Sequence, residues 1–238
     1  YGVNYTAGSS FVSWNWKAGG TAPVKTYVVK VVSDSGNKYR FDDFAASAQT
    51  VDLQEGGTYT FDQSDSSNSG HPLRFSTTSN GSHGGGSEYT TGVTTYGSPG
   101  SSGAYTKITV AASTATLYYY CTAHSGMGGQ VNTNSTRGSS YFDGAIKSTV
   151  SANQAAGFSI VTWTSDASNA GTIAHGLGVT PEIIFYKRRS GNARWHVVIN
   201  GLIDGSQDYI HLDDVLVKNN SLSQWGLPTS STISNTGV

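Results

Sequence analysis

Short stretches in which apolar and polar residues alternate recur along the chain, separated by loops rich in Gly, Ser and Asn. Between residues 25 and 121 they are "KTYVVKVVS", "NKYRF", "GGTYTFDQS", "HPLRFST", "AYTKITVA" and "TLYYYC". A period of two places successive side chains on opposite faces of a β-strand, and no long window shows the spacing of an amphipathic helix. The pattern predicts an all-β protein in which residues 25–131 form a Greek-key β-sandwich.

The alternation resumes after residue 157 with "GFSIVTWTS", "GTIAHGLGVTPEIIFYKRRSG", "ARWHVVING", "DYIHLD" and "TISNTGV". We therefore expect a second β-rich, sandwich-type module over residues 157–238, joined to the first by a polar linker over 132–156. Residues 1–24 contain the strand-like "FVSWNW" and are interpreted as the end of a preceding β module or a strand contributed to the second one. Residues 80–103, rich in Gly and Ser, are predicted to be a largely irregular excursion whose glycines permit tight turns but supply no core.

Composition supports this fold class and argues against some classes of binding partner. Only 12% of residues are charged, whereas Gly numbers 30 and Tyr 14, which favours strands and tight turns over helices. A formal net charge of -1 without a basic run argues against nucleic acid and anionic membranes as partners, and no apolar stretch is long enough to span a membrane. A single Cys excludes an internal disulfide framework. Because the chain starts at Tyr1 without an initiator Met, we expect it to be a piece of a longer or processed polypeptide.

Candidate chemistry concentrates in "LYYYCTAHSGMGG", which holds the only cysteine, Cys121, the only methionine, Met127, and His124 between them. A thiolate, an imidazole and a thioether are soft or borderline ligands, and two His with one Cys and a distant Met form the blue-copper ligand set. His71 opens a predicted strand after a polar loop and is the best candidate for the second imidazole. Zinc on His71, Cys121 and His124 is an alternative, and so is a purely structural role in which Cys packs as a small apolar residue and Met fills a gap.

These residues carry a resemblance to a known family. Residues 25–129 resemble the cupredoxins, and "YYYCTAHSGM" is similar to the carboxy-terminal copper loop of the amicyanin type. The resemblance implies that His71 and His124 supply nitrogens, Cys121 the thiolate and Met127 a weak axial sulfur to a copper ion that carries one electron. One position departs from the family, in which an Asn usually follows the first His and its backbone N–H reaches the Cys sulfur. Pro72 stands there instead and has no N–H, so we expect different surroundings for the sulfur.

A second resemblance involves both ends of the chain. "GFSIVTWTSDASNAGTIAHGLGVTPEIIFYKRR" resembles a module of tailed-phage fibre and other virion structural proteins, and "FVSWNWKAGG" is similar to a segment that closes a preceding copy. The resemblance implies a virion or extracellular location and a homo-oligomer, for which a trimer is our expectation. Other virion proteins and a host surface glycan or receptor are the further partners it suggests.

No nucleophile-elbow, P-loop, dinucleotide-binding or zinc-protease motif is present, so we expect a protein that is not an enzyme. Asp213 and Asp214 are adjacent on a predicted strand and point to opposite faces, which argues against a glycosidase pair. His175, beside a Gly turn, is interpreted as structural. The leading hypothesis is a non-enzymatic structural or adhesion protein of a virion with a cupredoxin-like, copper-binding domain. The alternative is an extracellular blue-copper electron-transfer protein or redox domain.

Overall fold

The computed structural model describes residues 22–165, 171–199, 208–212, 219–220 and 229–235. In these ranges the chain forms β-strands and three short 3₁₀ turns, which confirms the prediction of an all-β protein. The strand "FVSWNW" lies outside the described residues. The strands are β1 (Val24–Ser33), β2 (Asn37–Phe41), β3 (Val51–Gln54), β4 (Thr58–Asp62), β5 (Leu73–Ser76), β6 (Val93–Tyr96), β7 (Tyr105–Thr109), β8 (Leu117–Cys121), β9 (Gly129–Asn134), β10 (Ser139–Tyr141), β11 (Ser148–Asn153), β12 (Phe158–Trp163), β13 (Gly171–Ala174), β14 (Ile183–Tyr186), β15 (His196–Ile199), β16 (Asp208–His211), β17 (Asn219–Asn220) and β18 (Thr232–Asn235), and the turns are η1 (Ser66–Asn68), η2 (Gly81–Gly84) and η3 (Gln154–Ala156).

Two sheets form the β-sandwich. One has the strand order β2-β1-β4-β7-β6 and the other the order β3-β9-β8-β5. The chain passes repeatedly from one sheet to the other, for example between β2 and β3, β4 and β5, and β7 and β8, which are the crossed connections of a Greek-key sandwich. Two pairs, β1 with β4 and β3 with β9, are parallel, and the other neighbours are antiparallel. The predicted β-sandwich is therefore confirmed.

Aromatic side chains fill the space between the two sheets. Phe61 of β4 is fully buried, and its ring centroid lies 5.2 Å from Tyr27, 5.5 Å from Phe41 and 5.4 Å from Phe75. Tilted and edge-to-face contacts at these separations add to the free energy gained from burying the rings. Since Phe75 belongs to the opposite sheet, this group joins the sheets across the core.

The excursion over residues 80–103 is more ordered than predicted. It contains η2 and strand β6, which forms the edge of the five-stranded sheet. Within it, Tyr89 donates its backbone N–H to the Phe75 carbonyl (2.7 Å) and packs against the core. Gly92 has a φ of +69°, a conformation that lets the chain turn sharply just before β6. The segment does contribute to the core, because turns at its glycines return Tyr89 and Val93 to the sandwich.

The segment over residues 132–156, predicted as a linker, instead forms strands. It holds the end of β9, paired with β3, and all of β10 and β11, which make a three-stranded sheet with β12. Phe142 from this segment belongs to the sandwich core, and the Tyr27 hydroxyl donates to the Ser140 carbonyl (2.9 Å). Ser139, Ser140 and Ser148 are buried. Because serines occupy buried positions of these strands, apolar and polar residues do not alternate along them. The sequence pattern therefore gave no sign of β10 and β11.

A smaller apolar cluster lies in the remaining part of the chain. Ile146, Ile173 and Ile233 are buried together, with three half-buried residues packed against them. Ile233 lies in β18, which pairs with β13 although 57 residues of chain separate the two strands. In the described part of the chain, no helix is long and apolar enough to cross a membrane.

We predict that Phe142→Ala destabilises the β-sandwich although residue 142 lies outside the range predicted for it. Phe142 is 2% exposed and lies 5.4 to 6.0 Å, between ring centroids, from Tyr27, Phe41 and Phe44. Loss of such a side chain costs about 3–5 kcal/mol of unfolding free energy. Urea unfolding measures it. Ile160→Ala in β12 removes a side chain that is 44% exposed and should change stability by about 0.5 kcal/mol or less. Equal effects of the two substitutions would contradict the prediction.

Candidate metal centre

Strand pairing brings the predicted ligands together. Leu73 of β5 pairs with Cys121 of β8 in an antiparallel register, so His71, two residues before Leu73, lies beside the end of β8. His124 follows in the loop between β8 and β9. His71 Nδ1 and His124 Nδ1 each lie 3.8 Å from Cys121 Sγ, and the two imidazole ring centroids are 4.5 Å apart.

The separations fit a single transition-metal ion. Bonds of about 2.0 Å to nitrogen and about 2.3 Å to sulfur place the two donor atoms about 3.5 Å apart at a tetrahedral angle and about 3.7 Å apart at a trigonal one. The observed 3.8 Å between each Nδ1 and Cys121 Sγ is close to the trigonal value. The three donor atoms all lie within 4.8 Å of one another. Two imidazoles and one thiol in this arrangement suit copper or zinc.

Burial differs across the three ligands. Cys121 is fully buried in the sandwich core, His71 is half-buried and His124 is exposed. Burial, and secondarily the charge of His124, lower the pKa of His71. A lowered pKa keeps the imidazole of His71 neutral at neutral pH, so that a nitrogen lone pair is free to bind a cation.

Gln63 and Tyr39 hold His71 in place through its backbone. The His71 carbonyl accepts hydrogen bonds from the Gln63 side-chain amide (2.8 Å) and from the Tyr39 hydroxyl (2.8 Å). The Gln63 amide oxygen in turn accepts the N–H of Leu73 (3.1 Å). Gln63 therefore bonds to both residues that flank Pro72, and it is buried. The sequence offered no signal for this role, because Gln63 stands at the end of a predicted strand, eight residues before His71, and belongs to no metal-ligand motif.

Proline and tyrosine side chains shape the surroundings of the Cys121 sulfur. Pro72 has no N–H, as its chemistry requires, and its carbonyl accepts the N–H of Thr122 (3.1 Å). Burial, followed by the charge of Cys121 and a hydrogen bond with Cys121, raises the pKa of Tyr39 well above its usual range. Tyr39 thus remains a neutral hydroxyl beside the sulfur. The surroundings of the sulfur differ from the cupredoxin pattern, with a phenol near Cys121 in place of a main-chain amide.

Met127 shares the sandwich core with Cys121. Its side chain is 1% exposed and belongs to the sandwich core, and its carbonyl accepts the N–H of Tyr39 (3.0 Å). Met127 and His124 line the same surface depression, to which His83 also contributes. His83 donates Nε2–H to the Cys121 carbonyl (3.0 Å) and is outside the group of three close donors.

Three further residues were considered in the sequence analysis: His175, Asp213 and Asp214. His175 is buried, accepts the N–H of Leu177 at Nδ1 (3.2 Å) and donates from Nε2 to the Thr229 carbonyl (3.2 Å), which agrees with a structural role. Burial lowers the pKa of His175. Asp213 and Asp214 lie outside the described residues. In the part of the chain that the structure describes, His71, Cys121 and His124 form the one cluster of His, Cys, Asp or Glu able to hold a metal ion.

Comparison with known proteins adds one finding. A family model described as a domain of unknown function (DUF7483) matches residues 130–238. The matched range begins within β9 and includes the segment that was predicted as a linker. No curated protein matches the chain. No solved structure matches it. All four predicted ligands precede the matched range, so the family match bears on the carboxy-terminal half alone.

We predict that the connection between β8 and β9 tolerates Ala at Gly126 better than at Gly128, although Gly126 is the one with a positive φ (+74°). A Cβ at Gly128 would overlap the Tyr119 carbonyl of β8, whereas at Gly126 the nearest atom is Lys38 Nζ at 3.8 Å. Gly126→Ala should cost about 1–2 kcal/mol through backbone conformation. Gly128→Ala should cost more than about 4 kcal/mol, because β9 cannot return to β8.

Unfolding of both metal-free variants in urea measures this difference. The known cost of an L-residue at positive φ makes Gly126→Ala the matched control. A smaller loss for Gly128→Ala than for Gly126→Ala would contradict the close approach of the loop to β8.

Proposed function

We propose that the β-sandwich binds one copper ion through His71, Cys121 and His124, with Met127 as a weak axial ligand. The observation that carries the proposal is the approach of both Nδ1 atoms to Cys121 Sγ at 3.8 Å. Zinc accepts the same three ligands, but a thioether next to a His₂Cys group favours copper over zinc. Bound copper would supply one-electron chemistry.

The surrounding residues fit this task. Cys121 is buried, which keeps water from the sulfur, while hydrogen bonds from Gln63 and Tyr39 hold the backbone of His71. Outer partners of this kind orient ligands and adjust the affinity for the metal. Because its pKa is raised, Tyr39 keeps its proton and continues to donate to the His71 carbonyl beside the sulfur.

We further propose that the protein is a non-enzymatic structural or adhesion component of a virion, such as a tail fibre, in which copper stabilises the sandwich. Support comes from the fibre-like segments at both ends of the sequence, the low charge, and the firm attachment of β10 and β11 to the sandwich. An ion that binds only the folded state adds to its stability by mass action. Copies of the same chain, other virion proteins and host surface glycans are the proposed partners.

One observation favours electron transfer as a second candidate function. His124 is exposed although its Nδ1 faces the buried sulfur of Cys121. An imidazole that reaches from the ligand set to the surface offers a short route for an electron to an external donor or acceptor. The copper site would then serve redox work in an extracellular protein.

The copper proposal predicts that metal-free protein titrated with Cu(II) binds one equivalent and develops an intense visible absorption from charge transfer between thiolate and metal. Cys121→Ser should abolish this absorption. Met127→Leu should retain it with a shifted band, because the axial ligand is weak. Elemental analysis of protein purified without added metal identifies the ion taken up during expression. Absence of the band in the wild-type protein, or zinc alone after competition with both metals, would refute the copper site.

The structural role predicts that assembly does not depend on copper. Cys121→Ser and the wild-type protein should sediment as the same oligomer. Copper at about 100 times its dissociation constant should add about 2.7 kcal/mol to the stability of the wild-type protein alone. Analytical ultracentrifugation and thermal unfolding measure both quantities. A monomeric wild-type protein that exchanges electrons rapidly with a small inorganic reductant would favour the electron carrier instead.

A further inference from the structure

A turn from a distant part of the sequence lies on the ligand loop. We call residues 78–86 the cover turn and residues 122–127 the ligand loop. The side chain of Asn80 donates from Nδ2 to Ser125 Oγ (2.8 Å), and its Oδ1 accepts the N–H of Gly126 (2.8 Å). One amide group thus bonds twice to the two residues between His124 and Met127.

The cover turn is itself anchored to the second sheet. Ser76 Oγ donates to the Ser87 carbonyl (2.7 Å) and accepts the N–H of Thr78 (3.1 Å), which closes the base of the turn. Gly81 lies against the ring of Tyr120 so closely that a Cβ there would overlap it. Because Tyr120 is in β8, the cover turn rests on the strand that ends at Cys121.

The backbone of Asn80 also has an unusual conformation. Its φ is +61°, in the left-handed region, which Asn tolerates better than most residues. From this backbone conformation the Asn80 side chain makes its hydrogen bonds to Ser125 and Gly126. His83, on the same turn, adds a third contact by donating to the Cys121 carbonyl (3.0 Å).

Other hydrogen bonds also hold the ligand loop. Thr122 donates its N–H to the Pro72 carbonyl (3.1 Å), and at the opposite end the Met127 carbonyl accepts the N–H of Tyr39 (3.0 Å). Lys38 Nζ reaches the middle of the loop as well, by donating to the Gly126 carbonyl. The Asn80 amide differs in that it bonds to both Ser125 and Gly126, the two residues directly after His124.

We propose that Asn80 is a positioning residue of the metal centre, and that the cover turn holds His124 and Met127 in their binding arrangement before any metal arrives. A preformed site binds more tightly because less conformational entropy is lost when the ion enters. The predicted effect on copper binding rests on the proposed copper site, whereas the predicted arrangement of the metal-free loop does not.

Asn80→Gly is the sharpest test, because Gly accepts a positive φ while both side-chain hydrogen bonds disappear. Asn80→Asp keeps oxygen acceptors that can bond the Gly126 N–H and the Ser125 hydroxyl, and it should restore the wild-type behaviour. Ser113→Gly is the matched control, since exposed Ser113 also has a positive φ (+59°) and lies in a different turn.

Two measurements test the proposal. In metal-free wild-type protein, NMR should show cross-relaxation between the ring protons of His71 and His124, and this signal should be lost in Asn80→Gly and kept in Asn80→Asp and Ser113→Gly. Copper should dissociate about tenfold faster from Asn80→Gly, the order expected for one or two hydrogen bonds. The visible band of the copper-loaded Asn80→Gly protein should also shift.

The outcomes separate the two proposals. Cross-relaxation that is absent from the wild-type protein, or unchanged in Asn80→Gly, overturns the role of Asn80. An unchanged rate of copper dissociation in that variant overturns it as well. Failure of the wild-type protein to bind copper overturns the proposed function alone, and cross-relaxation that depends on Asn80 would still support a loop held by the cover turn.

Discussion

The packing of aromatic rings between the two sheets is the interaction on which the rest of the structure depends. Phe61, Phe41 and Tyr27 from one sheet meet Phe75 and Tyr119 from the other, all buried. This packing fixes the faces of β5 and β8, so neither strand can slip by one residue without turning its apolar side chains to water. The register that pairs Leu73 with Cys121 follows from it, and so does the approach of His71 to the sulfur.

The same core extends beyond the sandwich into the following strands. Phe142 is inserted beside Tyr27, and Lys25 lies 3.5 Å from carboxylate oxygens of both Asp42 and Asp143. Lys25 also lies 4.2 Å from the ring centroid of Tyr141. Burial raises the pKa of Asp42, against the lowering effect of Lys25. Charges with little access to water are costly unless they are paired, so this group joins β10 to the sandwich in one arrangement.

Strands with clear alternation of apolar and polar residues could be predicted from the sequence, and strands with polar or mixed faces could not. "KTYVVKVVS" and "TLYYYC" correspond to β1 and β8. In β1 the exposed Val28 stands between the buried Tyr27 and Val29. In β8 the half-buried Tyr118 stands between the buried Leu117 and Tyr119. Strand β11 was missed because Ser148 fills an inward position and hydrogen-bonds to the Ala174 carbonyl (3.2 Å). Strand β6 was missed because three of its four residues are exposed at a sheet edge, where little burial shapes the sequence.

The candidate site, too, could be predicted from the sequence only in part. The sequence by itself determined the chemistry, because Cys121, His124 and Met127 follow one another at a spacing that a single loop can turn toward one point. The sequence also offered His71 as a candidate, but only the tertiary structure brings His71 to the sulfur and adds Asn80 to the loop. His71 reaches Cys121 through strand pairing across 50 residues, and Asn80 reaches Ser125 across 45. Contacts between distant parts of the chain depend on how the sheets pack, and linear spacing contains no record of that packing.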